Sequence, residues 1–253
     1  MRITQLFFKN SLRNFCYLLE SESGYLICID PFEHQLVLDN LMGKKIDMII
    51  NTHDHCDHHS GNQKLIAQFS PTVAAHKNAQ IEGKNRDLLH LDVIYQEGEW
   101  ELVALDTPGH TLSHVSLLLK KNGKDFGIFT GDTFFNAGVG NCYNGGDVTK
   151  LFHSIEDFYE TLSDDVLVYP GHDYLKRNLE FTLSIDPNNF AAKMFLDNFT
   201  SFIKDSEFYI NDMKIERSIN NFLKTSNREI QKILGTNSKL ETFTKLRSLR
   251  DKW

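Results

Sequence analysis

The chain has 253 residues, 41% of them hydrophobic and 24% charged, and this ordinary globular composition argues against intrinsic disorder. Its net charge of −7 combines −11 over the first 200 residues with +4 from position 201 onward, where 11 basic residues face 7 acidic ones. An acidic body disfavours nucleic acid as a partner, because phosphate binding needs a basic surface.

The first two-thirds of the chain has the pattern of short strands separated by turns. Gly24, Gly98 and the pair Asn122-Gly123 are turn signals, and the pair is a strong hairpin marker between two strand patterns. Runs rich in β-branched and aromatic residues predict strands at Ile3–Phe8, Asn14–Leu19, Tyr25–Asp30, Asp47–Asn51, Trp100–Asp106, His114–Lys120, Phe126–Thr130 and Val166–Tyr169.

Helical periodicity dominates the rest. Apolar residues at helical spacing predict a helix over 148–162, with Asp147 capping its start. A second helix is expected near Gly61-Asn62, and Pro187 stands where it can begin another. Further helices are predicted at Leu175–Ile185, Phe190–Ile203 and Arg228–Leu234. We therefore predict an α/β domain over residues 1–173 and a helical domain over residues 174–253, whose basic end is either a solvated face or a contact for a small anionic substrate.

The four cysteines Cys16, Cys28, Cys56 and Cys142 are widely spaced and form no CxxC pair. This spacing argues against a disulfide framework and a thiolate zinc site, and it fits a reducing compartment. The N-terminus lacks a signal-peptide pattern because its apolar run ends at Lys9, and no apolar stretch reaches membrane length. We therefore predict a cytoplasmic monomer without a membrane partner. Cys56 is either a packing residue, which is the favoured interpretation, or a thiol whose oxidation would disturb the site.

The strongest chemical signal is THDHCDH at positions 52–58, directly after a predicted strand. His53, His55 and Asp57 alternate along the chain and can point to one side of an extended segment, while His58 points elsewhere. Imidazole and carboxylate groups in this arrangement suit divalent metals, and the two directions suit two ions. His59 is left out, because a neighbour of ligands more often faces solvent or supports them.

Three weaker motifs place further donors at strand ends. TPGHTLSH at 107–114 presents His110, FTGDT at 129–133 presents Asp132, and YPGH at 169–172 presents His172. Each motif alone is most often a plain turn, and only their conjunction predicts one shared site. His114 is predicted to have a structural hydrogen-bonding role, and the remaining histidines outside these motifs to be ordinary surface or core residues.

This combination of motifs resembles the ligand set of the metallo-β-lactamase superfamily. The resemblance implies a four-layer αβ/βα sandwich with a binuclear site at one edge of two sheets, followed here by the C-terminal α-helical domain. It implies seven metal ligands, with Asp57 and Asp132 also the candidate catalytic carboxylates. One ion would be held by His53, His55 and His110 and the other by Asp57, His58 and His172, with Asp132 bridging them.

Within that superfamily the chain resembles hydroxyacylglutathione hydrolases, the glyoxalase II family. Three segments resemble sequence motifs of that family: THDHCDHHSGN, FTGDTFFNAGVG and VYPGHDY. Two further segments resemble its helical glutathione-binding domain: INNFLKT and KLRSLRDKW. The family usually has a basic residue at the position of Asn141 and a cysteine at that of Val139. The resemblance implies glutathione contacts from Tyr143, Tyr174, Arg247 and Arg250, with one carboxylate contact altered at Asn141.

The predicted reaction is hydrolysis of S-D-lactoylglutathione to D-lactate and glutathione, the second step of methylglyoxal detoxification. Two divalent ions, zinc first and iron or manganese as alternatives, would activate a water, and a thiolate can leave without a protonating acid. A mononuclear-iron glutathione persulfide dioxygenase would use the same ligand types, and a lactonase would share the site without needing the C-terminal arginines. A nuclease of this fold is disfavoured by the acidic main domain.

Overall fold

The computed structural model describes residues 1–199 and 208–253, and its strands form two sheets. In the first sheet the strands are adjacent in chain order, antiparallel from β1 to β3 and parallel from β3 to β6. These strands are β1 Arg2–Phe7, β2 Phe15–Glu20, β3 Leu26–Ile29, β4 Met48–Asn51, β5 Thr72–His76 and β6 Arg86–Leu88.

The second sheet has the order β13-β10-β9-β8-β7, in which only the pair β10 and β13 is parallel. A separate two-stranded hairpin, β11 with β12, follows β10 and leads toward the metal-ligand candidates. The strands are β7 Val93–Glu97, β8 Trp100–Asp106, β9 Val115–Lys121, β10 Lys124–Gly131, β11 Phe134–Phe135, β12 Gly138–Val139 and β13 Leu167–Pro170.

Helices flank the two sheets and make up the C-terminal part of the described chain. Those of the first part are α1 His34–Asn40, α2 Asn62–Phe69 and α3 Val148–Asp157. Those that follow β13 are α4 Leu175–Ile185, α5 Phe190–Phe199, α6 Met213–Ile219, α7 Arg228–Leu234 and α8 Lys239–Arg250. None of the helices in the described ranges is long and apolar enough to cross a membrane.

Alternation along the strands produces the four layers. Successive side chains of a strand point to opposite faces, so neighbouring residues enter different cores. Ile50 of β4 and Leu117 of β9 lie in the core between the two sheets. Ile49 packs instead with Val37 of α1 on the outer face of the first sheet, and Leu118 packs toward α3 on the outer face of the second. The predicted αβ/βα sandwich with a C-terminal helical region is confirmed.

All eight predicted strands are present within a few residues of their expected bounds. The predicted hairpin is confirmed by Asn122 and Gly123, whose φ angles of 52° and 73° are the left-handed values that a tight turn between β9 and β10 requires. The short strands β5, β6, β7, β11 and β12 escaped prediction. They are recruited by pairing with neighbours rather than by a strong pattern of their own.

The helix predictions need three corrections. The periodic segment 148–162 is α3 only as far as Asp157, with a 3₁₀ turn after it, although Asp147 caps the helix as expected through Thr149 N and Lys150 N. Pro187 does not begin a helix, because α5 starts at Phe190 and the Asn189 side chain accepts a hydrogen bond from its first turn. Helices α1, α6 and α8 were not predicted individually, and positions 200–203 of the predicted 190–203 helix lie outside the described residues.

Candidate metal centre

The loop after β4 brings four of the predicted ligands to one edge of the sandwich. It is folded back on itself because the Asn51 amide donates to the carbonyl oxygen of His58, at 2.8 Å. A short 3₁₀ turn at Cys56–His58 then rotates His58 away from the direction of His55, and α2 begins four residues later at Asn62. The local backbone thus divides adjacent ligand residues between two directions, as their spacing predicted.

The donor atoms form two triads whose members lie within 4.8 Å of one another. The first triad is His53, His55 and His110, and the second is Asp57, His58 and His172. In the first, His110 Nε2 lies 2.9 Å from His55 Nδ1. In the second, His58 Nε2 lies 3.2 Å from His172 Nε2, and His172 Nε2 lies 3.5 Å from Asp57 Oδ2.

Asp132, at the end of β10, lies between the two triads. Its Oδ1 is 3.3 Å from His58 Nε2, and its Oδ2 is 3.1 Å from His172 Nε2 and 3.5 Å from His110 Nε2. One carboxylate therefore faces ligand candidates of both triads. The structure brings all seven predicted donors into one cluster, and these donors lie in the segments that follow β4, β8, β10 and β13.

The chemistry of this cluster fits cations. The buried Nε2 of His53 has no hydrogen-bond partner among the described residues, and imidazole nitrogens of different residues face each other at 2.9–3.2 Å. Burial lowers the pKa values of His53 and His110, which favours the neutral imidazole that binds metal. Nitrogen and carboxylate donors directed at common points are what a divalent ion of the zinc, iron or manganese kind requires.

The far side of four of the seven ligand candidates is held by an acceptor or donor from another segment. Such outer contacts fix the tautomer and the direction of a ligating imidazole. The Nδ1 atoms of His58, His110 and His172 lie 3.0, 2.7 and 2.8 Å from Asp30 Oδ2, the Asn141 carbonyl oxygen and the Leu12 carbonyl oxygen, and Asn14 Nδ2 donates to Asp57 Oδ2 at 2.9 Å.

His114 has the structural role that was predicted. Its Nε2 accepts a hydrogen bond from the backbone N–H of Asp132 at 3.1 Å, while its Nδ1 faces the hydroxyls of Thr107 and Thr133, each at 3.0 Å. Burial lowers the pKa of His114, so the ring is neutral and able to accept. His114 therefore orients the residue that lies between the two triads.

The residues predicted to contact glutathione border this cluster on the helical side. The Tyr174 ring stacks on the His172 ring with centroids 5.0 Å apart, and the exposed Tyr143 donates its hydroxyl to the Asp251 carbonyl oxygen at 3.2 Å. Arg250 is half-buried and donates to the side-chain oxygen of Asn178 at 3.1 and 3.2 Å.

The side chains of two other predicted contacts bind other parts of the chain. Arg247 is only 6% exposed, because its guanidinium donates to the carbonyl oxygens of Val139 and Gly140 and pairs with Asp251. The side chain of Asn141 accepts from the backbone N–H of Tyr143, while its carbonyl oxygen holds His110.

Sequence reasoning missed Asn14 and Asp30, which support Asp57 and His58 across 43 and 28 positions of the chain. No local motif marks such residues, because their partners are chosen by sheet packing. The expectation that Cys56 is a packing residue is wrong, since its side chain is exposed at the start of the 3₁₀ turn.

Comparison with known proteins covers the whole chain. The family model described as Metallo-beta-lactamase superfamily matches residues 12–172, and that described as Hydroxyacylglutathione hydrolase C-terminus matches residues 173–253. Hydroxyacylglutathione hydrolases of Polaromonas sp. (strain JS666 / ATCC BAA-500) and Nitrosococcus oceani are each 38% identical, with all of both chains covered. The protein named Hydroxyacylglutathione hydrolase cytoplasmic of Arabidopsis thaliana is 30% identical over 95% of each chain.

Solved structures show the same fold. A metallo-beta-lactamase from Staphylococcus aureus superposes with a TM-score of 0.65 at 22% identity, covering 99% of this chain and 71% of that one. ETHE1 from Myxococcus xanthus gives a TM-score of 0.60 at 32% identity, covering 69% of this chain and 76% of its own. The fold and the clustered donors thus define a metal-binding enzyme of the metallo-β-lactamase superfamily.

The C-terminal family match and the full-length relatives narrow this class further. The chain belongs to the hydroxyacylglutathione hydrolase family, which confirms the resemblance in its motifs.

Proposed function

We propose that this protein hydrolyses S-D-lactoylglutathione to D-lactate and glutathione with two divalent ions, for which zinc is the first candidate. The single observation that carries this proposal is the convergence of two donor triads on Asp132, directly beside a helical domain of the family's C-terminal type. In this proposal residues 1–173 supply catalysis, and residues 174–253 form the glutathione-binding domain, which is helped by Asn141 and Tyr143 of the first domain.

The proposed ligands are those predicted from the sequence. One ion would be held by His53, His55 and His110 and the other by Asp57, His58 and His172, with Asp132 shared between them. When bound there, the ions supply an activated water and polarise the thioester carbonyl. Burial lowers the pKa values of the His53 and His110 imidazoles and so keeps these rings neutral. The chain orients the rings of His58, His110 and His172 through Asp30, the Asn141 carbonyl and the Leu12 carbonyl.

The substrate's charge explains the need for the basic end of the chain. Glutathione carries two carboxylates at neutral pH, and guanidinium groups pair well with carboxylates. Burial, together with neighbouring arginines, lowers the pKa of Arg250 only to about 10, so this residue stays cationic at neutral pH. We propose that Arg250, Tyr143, Tyr174 and Asn141 bind the glutathione moiety, with Tyr174 packed against the ligand His172.

The leaving group fits this site. A thiolate with a free pKa near 8.5 departs without proton donation, whereas an amide nitrogen would need a general acid. The carboxylates near the donors, Asp57 and Asp132, both face imidazoles and serve as ligand candidates. A thioester is therefore the acyl substrate that the residues of this site support best.

Two alternatives are less well supported. A glutathione persulfide dioxygenase would use some of the same donors, but the family match at residues 173–253 and the full-length hydrolase relatives favour the hydrolase. A lactonase would leave the glutathione-binding helices without a role.

Turnover of S-D-lactoylglutathione tests the proposal, with metal content measured on the same zinc-, iron- or manganese-loaded sample. We expect turnover with two ions per chain. The R250M variant should keep both ions and raise KM at least tenfold, while R228M, which alters an exposed arginine on α7, should change neither. Full metal loading without thioester turnover would refute the substrate, and one ion per active chain would refute the binuclear centre.

We also propose that the protein is a cytoplasmic monomer with no nucleic-acid or membrane partner. Support comes from the −11 charge of the first 200 residues and from the relative named cytoplasmic. Light scattering at micromolar concentration tests the monomer, and a dimer mass would refute it.

A further inference from the structure

Residues 136–141, here called the 136–141 loop, comprise the turn of the hairpin β11–β12, the strand β12 and the two residues that follow it. By sequence this loop belongs to the first domain. Its polar groups, however, are bound by the helical domain: Asn220 Nδ2 donates to the Gly138 carbonyl oxygen at 3.2 Å, and Asn178 Nδ2 donates to the Asn136 carbonyl oxygen at 2.9 Å.

A fully buried carboxylate anchors the start of the loop. Glu216 of α6 accepts from Asn136 Nδ2 at 3.0 Å and from the backbone N–H of Ala137 at 2.7 Å. Ala137 has φ of 57°, a left-handed value that is unfavourable for a residue with a side chain. Glu216 therefore stabilises a backbone turn that the loop alone disfavours.

A buried cation anchors the end of the loop. Arg247 Nη1 donates to the carbonyl oxygens of Val139 and Gly140, at 2.7 and 3.1 Å. Its guanidinium is itself oriented by Asp251, whose Oδ1 is 2.9 Å from Nε and 2.9 Å from Nη2. The positive charge of Arg247 thus interacts with main-chain oxygens of the loop and with the Asp251 carboxylate at the C-terminal end of α8.

The loop in turn contacts a metal-ligand candidate. The Asn141 carbonyl oxygen, one residue beyond the Arg247 contacts, accepts from Nδ1 of His110 at 2.7 Å. The loop has no room to move toward the site, because a Cβ on Gly140 would lie 1.9 Å from the Asp132 carbonyl oxygen and 3.1 Å from His110 Nδ1. The position of this short segment therefore sets both the tautomer and the direction of His110.

We propose that Arg247 and Glu216 are positioning residues through which the helical domain sets the metal affinity of the triad His53, His55 and His110. On this proposal the helical domain completes the metal centre as well as binding substrate. The inference rests on the two-metal centre proposed above, but it does not depend on the acyl substrate.

Stepwise cobalt(II) titration of metal-free protein, followed by its visible spectrum, tests the proposal. The H55A variant identifies the binding step that belongs to the first triad. Loss of an outer contact typically weakens metal binding about 10–100-fold. We expect R247M to weaken cobalt binding at the first triad by about 10–100-fold. R247K should recover part of this loss, because its ammonium group can still reach one carbonyl oxygen. The control R228K should bind cobalt as wild type does.

KM separates this role from a substrate contact. At saturating metal, KM of R247K for the thioester should stay within twofold of wild type. Unchanged cobalt affinity in both R247K and R247M would overturn the proposal, whatever the KM values are. Equal weakening of both cobalt-binding steps would also overturn it, because it would indicate general destabilisation of the protein. If R247M does not fold, R247K and E216Q carry the test alone, with thermal melts as the folding control.

The outcomes also separate this inference from the proposed function. A wild-type protein that binds two ions but does not cleave the thioester would refute the proposed substrate. The cobalt comparison between the variants would remain valid. A wild-type protein that binds one ion would defeat the binuclear centre itself.

Discussion

Changing Asp30 to Asn tests how far outer contacts control the metal centre. Asp30 accepts three hydrogen bonds: from Thr52 N at 2.8 Å, from Thr52 Oγ1 at 2.7 Å and from His58 Nδ1 at 3.0 Å. Its φ of 52° is tolerated by asparagine, so the backbone is retained. An amide has one acceptor oxygen, and if that oxygen stays with Thr52 N, the NH₂ group meets His58 Nδ1.

The consequence for His58 follows from its two ring nitrogens. Facing a donor at Nδ1, the neutral ring carries its proton on Nε2, the atom that lies 3.2 Å from His172 Nε2 and 3.3 Å from Asp132. Metal binding must then reverse the tautomer against the amide. We expect about 10–100-fold weaker binding of one ion, equivalent to about 1.4–2.7 kcal/mol.

Zinc competition against a chromogenic chelator measures this loss. The matched control is D47N, the same change in a carboxylate that accepts from Leu26 N at 3.0 Å before the start of β4, away from the donors. D47N should bind zinc as wild type does. Equal zinc affinity of D30N and wild type at both steps would refute the reasoning that the Asp30 contact sets the tautomer.

Two stability predictions follow from individual contacts. D147A removes the acceptor of Thr149 N and Lys150 N at the start of α3. It should lower the free energy of unfolding, measured in urea, by about 1 kcal/mol. An unchanged free energy of unfolding would contradict the role of Asp147 as a helix cap. Burial raises the pKa of Glu216 from 4.5 to about 7, so its folded-state proton stabilises the protein below pH 4.5, and this stability is lost as pH rises through 7. In metal-free protein the unfolding free energy of wild type relative to E216Q should therefore fall by about 3 kcal/mol across that window, and a rise would show that the amide donors dominate.

The local patterns predicted much of this molecule because they depend on neighbours in sequence. Runs rich in β-branched and aromatic residues identified the strands on both sides of the central core, because such side chains suit the pleated surface of a buried sheet. The spacing of His53, His55, Asp57 and His58 already indicated two ligand directions. His110, Asp132 and His172 could be added because each follows a strand-like run and a turn signal.

The contacts that hold these donors were beyond sequence reasoning. Asn14 directly precedes β2 and Asp30 directly follows β3. Both reach the loop after β4 because β3 pairs antiparallel with β2 and parallel with β4. Arg247 illustrates the same limit for charge. Its place in a basic helix suggested a substrate contact, but packing against the 136–141 loop buries it on main-chain carbonyl oxygens.

The sequence by itself determined most of the strands and the motifs that carry the seven donor candidates, because these are local properties. The resemblance of those motifs to a known family supplied the sandwich architecture and the family. Tertiary structure alone decided which side chains orient those donors and which arginine remains near the surface. Those roles depend on atoms brought within about 3 Å across tens to more than a hundred positions of the chain, and no short-range pattern encodes such distances.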